Sequence, residues 1–204
     1  MVEKQLRARG IRDERVLRAM LSVPRHEFVV EAGRALSYAD QPLAIGKDQT
    51  ISQPFMVAYM LEALQLTGKE KALEVGTGSG YAAAVLSQLC ETVYTIESSA
   101  ELARTARERL ARLGFANVIV RAGDGSAGMP DAAPFDAIVV AAAAPSLPPP
   151  LVDQLAEGGR LAVPIGRGDT QILVLARKVG GEIRLRELEH CRFVPLTGQF
   201  GFSD

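Results

Sequence analysis

Lys71–Tyr81, KALEVGTGSGY, is the stretch on which the fold turns. A short apolar run, KALEV, passes directly into three alternating glycines, Gly76, Gly78 and Gly80. An apolar strand that breaks into a glycine turn and then into a helical run opens an open α/β sheet, because glycine lets the chain reverse sharply and approach a ligand closely. Toward the C-terminus the alternation continues. Tyr81 to Cys90 reads as a helix and TVYTIE as a strand. Ser98 and Glu101 have capping-box spacing for a helix that carries Leu102, Ala106, Leu110 and Leu113 inward and stops at Gly114. NVIVRAG, FDAIVVAAAA and GRLAVPIG are further strands, and the almost unbroken apolar character of FDAIVVAAAA suits a central parallel strand covered on both faces. Strands alternating with helices predict a doubly wound, mostly parallel α/β sheet. QILVLARK, the pair Gly180-Gly181 and EIRLRELEHCRFV then read as a C-terminal β-hairpin joined to the sheet edge.

Toward the N-terminus, Phe55 to Leu66 has an amphipathic helical pattern. The first 35 residues also look helical, with Val16, Leu17, Met20 and Leu21 on one face and Pro24 ending the segment. Between them, residues 38–54, YADQPLAIGKDQTISQP, have neither helical nor strand periodicity. A loop of that length inside a compact domain points to function. The expected organisation is one domain over 1–204: N-terminal helices and loop at 1–54, a ligand-binding core at 55–166 and C-terminal strands at 167–204.

Composition narrows the partners. The chain has 204 residues, 48% apolar and 23% charged, with a formal net charge of −1. That balance gives no long-range attraction to phosphate backbones or anionic membranes, so neither nucleic acid nor membrane is expected as a partner. Cys90 and Cys191 stand far apart with no metal-ligand spacing, which suits a reducing compartment and no metal. The opening MVEKQLRARGIRDERV is too charged for a signal peptide. The longest apolar run, Ala137 to Ala144, falls far short of the roughly 20 residues that span a bilayer. A cytoplasmic protein, and a monomer, is expected.

Three acids flank the glycine turn. Glu74 precedes it, Glu97 ends the second strand, and Asp124 follows the third strand within Gly123-Asp124-Gly125-Ser126. The glycine pattern alone is ambiguous, since from Gly78 it also satisfies the G-x-G-x-x-A of a nicotinamide site. Glu97 alone could be a solvated strand end. Together, an acid able to take ribose hydroxyls and another able to take an adenine amine, without a basic phosphate clamp, favour S-adenosylmethionine over a dinucleotide.

At this point the sequence resembles the protein-L-isoaspartate O-methyltransferases. DQTISQP, LEVGTGSGY, the GDG at 123–125, PFDAIVV, GGRLAVPIG and RFVPL carry the likeness, from about Val23 to Leu196. The resemblance implies a Rossmann-like class I methyltransferase fold. It places Glu74, Gly76, Thr77, Gly78, Ser79 and Gly80 in the cofactor site, with Glu97, Asp124 and Gly125 beside them. Thr50, Ile51 and Ser52 would form the substrate loop, with Ser52 at the active-site hydroxyl position, and Val194 and Pro195 would border the isoaspartyl pocket. Two departures from the family's usual residues precede the loop: Ala44 in place of proline and Asp48 in place of glycine.

The implied reaction is methyl esterification of isoaspartyl carboxylates in damaged proteins and peptides. It needs no general base, because a carboxyl with a pKa near 4 is ionised at neutral pH, and His26 and His190 are expected on the surface or as satisfied core residues. Ser52 has two readings from the residues alone, a donor to the acceptor carboxylate or the N-cap of the helix at Pro54; the resemblance favours the first. The alternatives are a carboxylate methyltransferase for one defined peptide and a non-catalytic module that binds an adenosine ligand. The chain's end soon after FVPL argues against an added recognition domain, and the presence of the TIS stretch argues against a non-catalytic module.

Overall fold

A computed structural model describes residues 1–47 and 49–202. The N-terminal region is less regular than its periodicity suggests. A π-helical turn (Val2–Leu6) and a 3-10 turn (Arg7–Arg9) precede helix α1, Glu14–Ser22, which Asp13 caps through the Arg15 and Val16 amides. Val16, Leu17 and Met20 are buried as expected, but Leu21 is 73% exposed, because α1 packs along a narrower stripe. Two further 3-10 turns, Arg25–Phe28 and Glu31–Leu36, follow Pro24.

The aperiodic segment 38–54 contains a small antiparallel ribbon, β1 (Leu43–Gly46) with β2 (Gln49–Ile51). Its sequence hides the strands because each is short and pairs only with the other. Ala44 lies in β1, opposite Thr50; Asp48 falls outside the described residues. Helix α2 runs Pro54–Ala63, with proline in its first turn and Gln53 at the cap position, where its side chain makes no capping bond. The Phe55 amide instead donates to Asp40 Oδ1 at 3.0 Å. Ser52 is therefore not the cap of this helix, and its second reading is corrected.

The core then follows in order: β3 (Lys71–Val75), α3 (Tyr81–Leu86), β4 (Thr92–Glu97), α4 (Ala100–Arg112), β5 (Val118–Ala122), β6 (Phe135–Val140), α5 (Pro149–Asp153), β7 (Leu155–Ile165), β8 (Gln171–Val179) and β9 (Glu182–Cys191). Both α2 and α3 stop a few residues before their apolar patterns do, ending in turns. The seven-stranded sheet has the order β5-β4-β3-β6-β7-β8-β9, parallel through β7 and antiparallel at β8 and β9. The predicted hairpin thus continues the same sheet.

Burial explains the apolar runs. Along β6, Ala137 and Val139 enter one core while Ile138 and Val140 enter the other, on the opposite face of the sheet. Successive side chains of a strand point to opposite faces, so a strand covered on both sides must be apolar throughout. The chain leaves β3 toward β4 and β5, then returns to place β6 on its other side. The carboxyl end of β3 is therefore the switch point, where an open sheet leaves a crevice.

The cap of α4 also differs from the capping-box expectation. Ser99, not Ser98, accepts the Leu102 amide, while the Ser98 hydroxyl donates to Glu97. Ala106 and Leu110 are buried, with Leu102 and Leu113 half-buried. Replacing Ser99 by alanine is expected to lower unfolding free energy by about 1 kcal/mol, and Ser98→Ala by less than about 0.5 kcal/mol. Urea denaturation of the two variants checks the assignment; equal losses would contradict it.

Candidate functional site

At the switch point the main chain of β3 is extended by one bond on each side. The Gly76 amide donates to Ile96 O at 2.9 Å and the Ala141 amide to Val75 O at 2.8 Å. Beyond them the backbone reverses. Gly76, Gly78 and Gly80 have φ of 95°, 51° and 90°, a region that L side chains rarely adopt, and Gly80 is the cap from which α3 starts. The turn is held from the next strand: the Gly78 amide donates to Glu97 Oε2 at 2.9 Å, and Glu97 Oε1 accepts the Ser99 amide at 3.0 Å. Glu97 is buried, so the solvated-end reading does not hold.

This turn forms one wall of a cavity of about 1010 Å³. Gly76, Thr77, Gly78, Ser79, Glu97 and Gly125 line that side. Thr50, Ile51, Ser52, Val194 and Pro195 line the same cavity. The tail is brought there by strand-like pairing: the Ala143 amide donates to Val194 O at 2.8 Å and the Leu196 amide to Ala143 O at 2.7 Å. Buried Gln171 adds a second clasp, accepting from the Phe193 amide at 2.6 Å and donating to the Phe193 carbonyl at 3.0 Å. Most of the residues expected from the sequence thus share one space.

Three of them stand apart from its lining. Gly80 lies behind the turn, against Leu110. Asp124 is exposed and already engaged: Oδ1 accepts from the Ser126 amide and hydroxyl, at 2.8 and 2.6 Å, and Oδ2 from the Gln199 amide at 2.8 Å. Partial burial pulls its pKa up, but the bonds from Ser126 and Gln199 outweigh that and hold the carboxyl below its usual range. In this arrangement Asp124 ties the C-terminal segment to the loop after β5, and an adenine amine would have to share its oxygens. Glu74 is fully buried beneath the turn.

Glu74 has an unusual environment. Oε2 is 2.5 Å from Thr95 Oγ1, which is 2.6 Å from Thr77 Oγ1, so a hydroxyl chain links it to the main cavity. Oε1 has no partner among the described residues. Burial, together with the nearby Glu97 charge, pushes its pKa up to about 8, against the pull of the Thr95 hydroxyl. An apolar cleft of about 20 Å³ beside it is also lined by Ser52 and Ala82, so it abuts the main cavity.

The residue that sequence reading missed is Arg25, fully buried, whose Nη2 donates to the Ser52 carbonyl at 2.7 Å. Nothing in its local sequence signals burial; only the packed structure does. His26 lies against the Tyr38 hydroxyl at 2.7 Å, and His190 is exposed at the cavity rim. Among the described residues no group of His, Cys, Asp or Glu could hold a metal, and no described helix is long and apolar enough to cross a membrane.

The cavity suits an adenosine-bearing sulfonium: the glycine turn and the Glu97 carboxylate line it, and an orphaned carboxyl oxygen on Glu74 lies beneath the turn. Comparison agrees. The protein-L-isoaspartate(D-aspartate) O-methyltransferase (PCMT) family matches residues 1–201. A protein-L-isoaspartate O-methyltransferase of Koribacter versatilis is 55% identical over 203 residues, covering 100% of this chain and 91% of its own. One from Syntrophobacter fumaroxidans is 54% identical, covering 100% and 95%. A solved protein-L-isoaspartate O-methyltransferase superposes with a TM-score of 0.89 at 32% identity, over 98% of this chain and 67% of that one. A Plasmodium falciparum structure described by the same activity, in complex with S-adenosyl-L-homocysteine, gives 0.82 at 30% identity, over 96% of each.

The Glu74 environment has a consequence for stability. An acid that ionises near pH 4.5 when unfolded and near 8 when folded keeps a proton in the native state that the unfolded state has lost. Between those values stability falls as pH rises, with a slope of up to about 1.4 kcal/mol per pH unit. Ligand-free protein should melt lower at pH 7.5 than at pH 5.5, and Glu74→Gln should remove that component. An unchanged slope in the variant would show that Glu74 is ionised throughout.

Proposed function

Because the chain belongs to the protein-L-isoaspartate(D-aspartate) O-methyltransferase family, we propose that it methylates the free α-carboxylate of L-isoaspartyl residues in damaged proteins and peptides, with S-adenosylmethionine as donor. The observation that carries this reading is the shared cavity: the glycine turn, Glu97, the TIS stretch and Val194-Pro195 all line one space. Bound S-adenosylmethionine supplies an electrophilic methyl group on sulfur. The turn from Gly76 to Ser79 and the Glu97 carboxylate line the space that would hold its adenosine and amino-acid parts. Glu74, neutral when buried alone, can give up its proton and face the added positive charge.

Ser52 is the proposed donor to the acceptor carboxylate. It does not cap α2, and the residue lines the cavity. The acceptor arrives ionised, so the protein's task is alignment and exclusion of water rather than proton removal. Thr50, Ile51, Val194 and Pro195 present main chain to the substrate's backbone, which an isoaspartyl linkage lengthens by one methylene. The ester then forms a succinimide as the adjacent amide nitrogen attacks its carbonyl and methanol leaves, and water opens that ring to aspartyl and isoaspartyl products. The same reading takes residues 1–204 as one unit acting as a monomer in the cytoplasm, with neither nucleic acid nor membrane as partner; the near-neutral charge supports the last two points alone.

A matched pair of peptides tests the substrate. The isoaspartyl form should be methylated at least about 100-fold faster than its aspartyl twin, since misplacement by about 1 Å carries a penalty of that size. Equal rates would reject the assignment. Ser52→Ala should lower kcat by about 10-fold or more while the affinity for S-adenosylhomocysteine, measured by calorimetry, stays within about 2-fold. Loss of affinity in step with kcat would place Ser52 in the cofactor site instead.

A further inference from the structure

We propose that Arg25 is a positioning residue for methyl transfer, its guanidinium fixing the Ser52 main chain and so the direction of the Ser52 hydroxyl. The inference rests on the role of Ser52 given above. Arg25 stands in the 3-10 turn after Pro24, and its side chain has no exposure to solvent. A guanidinium so placed would ordinarily be offset by a carboxylate in contact. Among the described residues none makes an ion pair with it. Its partners are carbonyls: Nε donates to Ser37 O and Nη2 to Ser52 O, both at 2.7 Å. The Tyr81 ring lies under the guanidinium carbon, 4.6 Å from centroid to carbon.

Ser37 and Ser52 bracket the segment that carries the β1–β2 ribbon and the TIS stretch. One planar cation thus closes the base of that loop, while Tyr81 continues the glycine turn into α3. The same side chain therefore touches the proposed acceptor loop and the helix behind the proposed donor site. Filling the space alone would not require a charge, since an apolar side chain of similar volume avoids the cost of desolvation. An apolar side chain cannot set the plane of the peptide after Ser52. A lysine cannot either: its ammonium is a point charge, whereas two carbonyls on separate segments call for the guanidinium fork.

The test is a double-mutant cycle between Arg25→Lys and Ser52→Ala, read as kcat on an isoaspartyl peptide with S-adenosylhomocysteine affinity measured beside it. Arg25→Lys alone should lower kcat by about 10-fold or more, leave that affinity within about 2-fold, and cost the Ser52→Ala protein less than about 3-fold, because the hydroxyl it orients is already gone. Equal losses in both backgrounds, or a loss that follows cofactor-product affinity, would overturn the inference while leaving Ser52 in place. Full activity of Ser52→Ala by itself would overturn both. If Arg25→Lys does not fold by circular dichroism, Arg25→Gln goes through the same cycle. Failure of both to fold would make Arg25 a brace of the fold and reject the positioning role.

Discussion

The hydrogen bond from the Gly78 amide to the Glu97 carboxylate joins the ends of two neighbouring strands across the point where the chain reverses. A backbone held at positive φ has little to stabilise it locally, and an amide pointing away from the sheet must find an acceptor. Glu97 supplies one and also lines the cavity, so a single carboxylate shapes the turn and the wall of the site. The start of α3 takes its position from that turn, and the crevice between β3 and β6 opens beside it.

Two other acids near the turn are separated by environment. Asp124 is surrounded by amide and hydroxyl donors, which favour its charge. Glu74 is sealed beneath the turn with one oxygen unpartnered, which disfavours its charge. A negative group suits a loop that must hold the C-terminal segment. A neutral one can be kept under a cation-binding site without a permanent counter-ion.

On the other side of the cavity, order comes from long-range contacts. Asp40 takes the α2 amide that Ser52 was a candidate to cap, and it also pairs with Arg9 at 2.6 Å. Gln171 takes the Phe193 main chain. With Arg25 at the loop base, the proposed substrate side is assembled from segments that are distant in sequence, each fixed through its backbone.

How much was legible follows from the range of the forces. Apolar runs such as FDAIVV and the alternating glycines of GTGSG answer to rules acting over a few residues, so the sequence by itself determined the parallel sheet, the switch point and the family. It also brought Thr50–Ser52 and Val194-Pro195 into view, but only through resemblance, since nothing local links them. The tertiary structure alone decided which serine caps α4, that segment 38–54 carries a ribbon, that Asp124 holds the tail, and that Arg25 is buried behind Ser52. Hydrogen bonds reach about 3 Å and take whichever partner the packed chain delivers. Ser98 and Ser99 are the same letter, and Asp40 and Ser52 are both residue types that can accept from a helix's first amides; each pair is separated only when the fold has brought one of them to the amide.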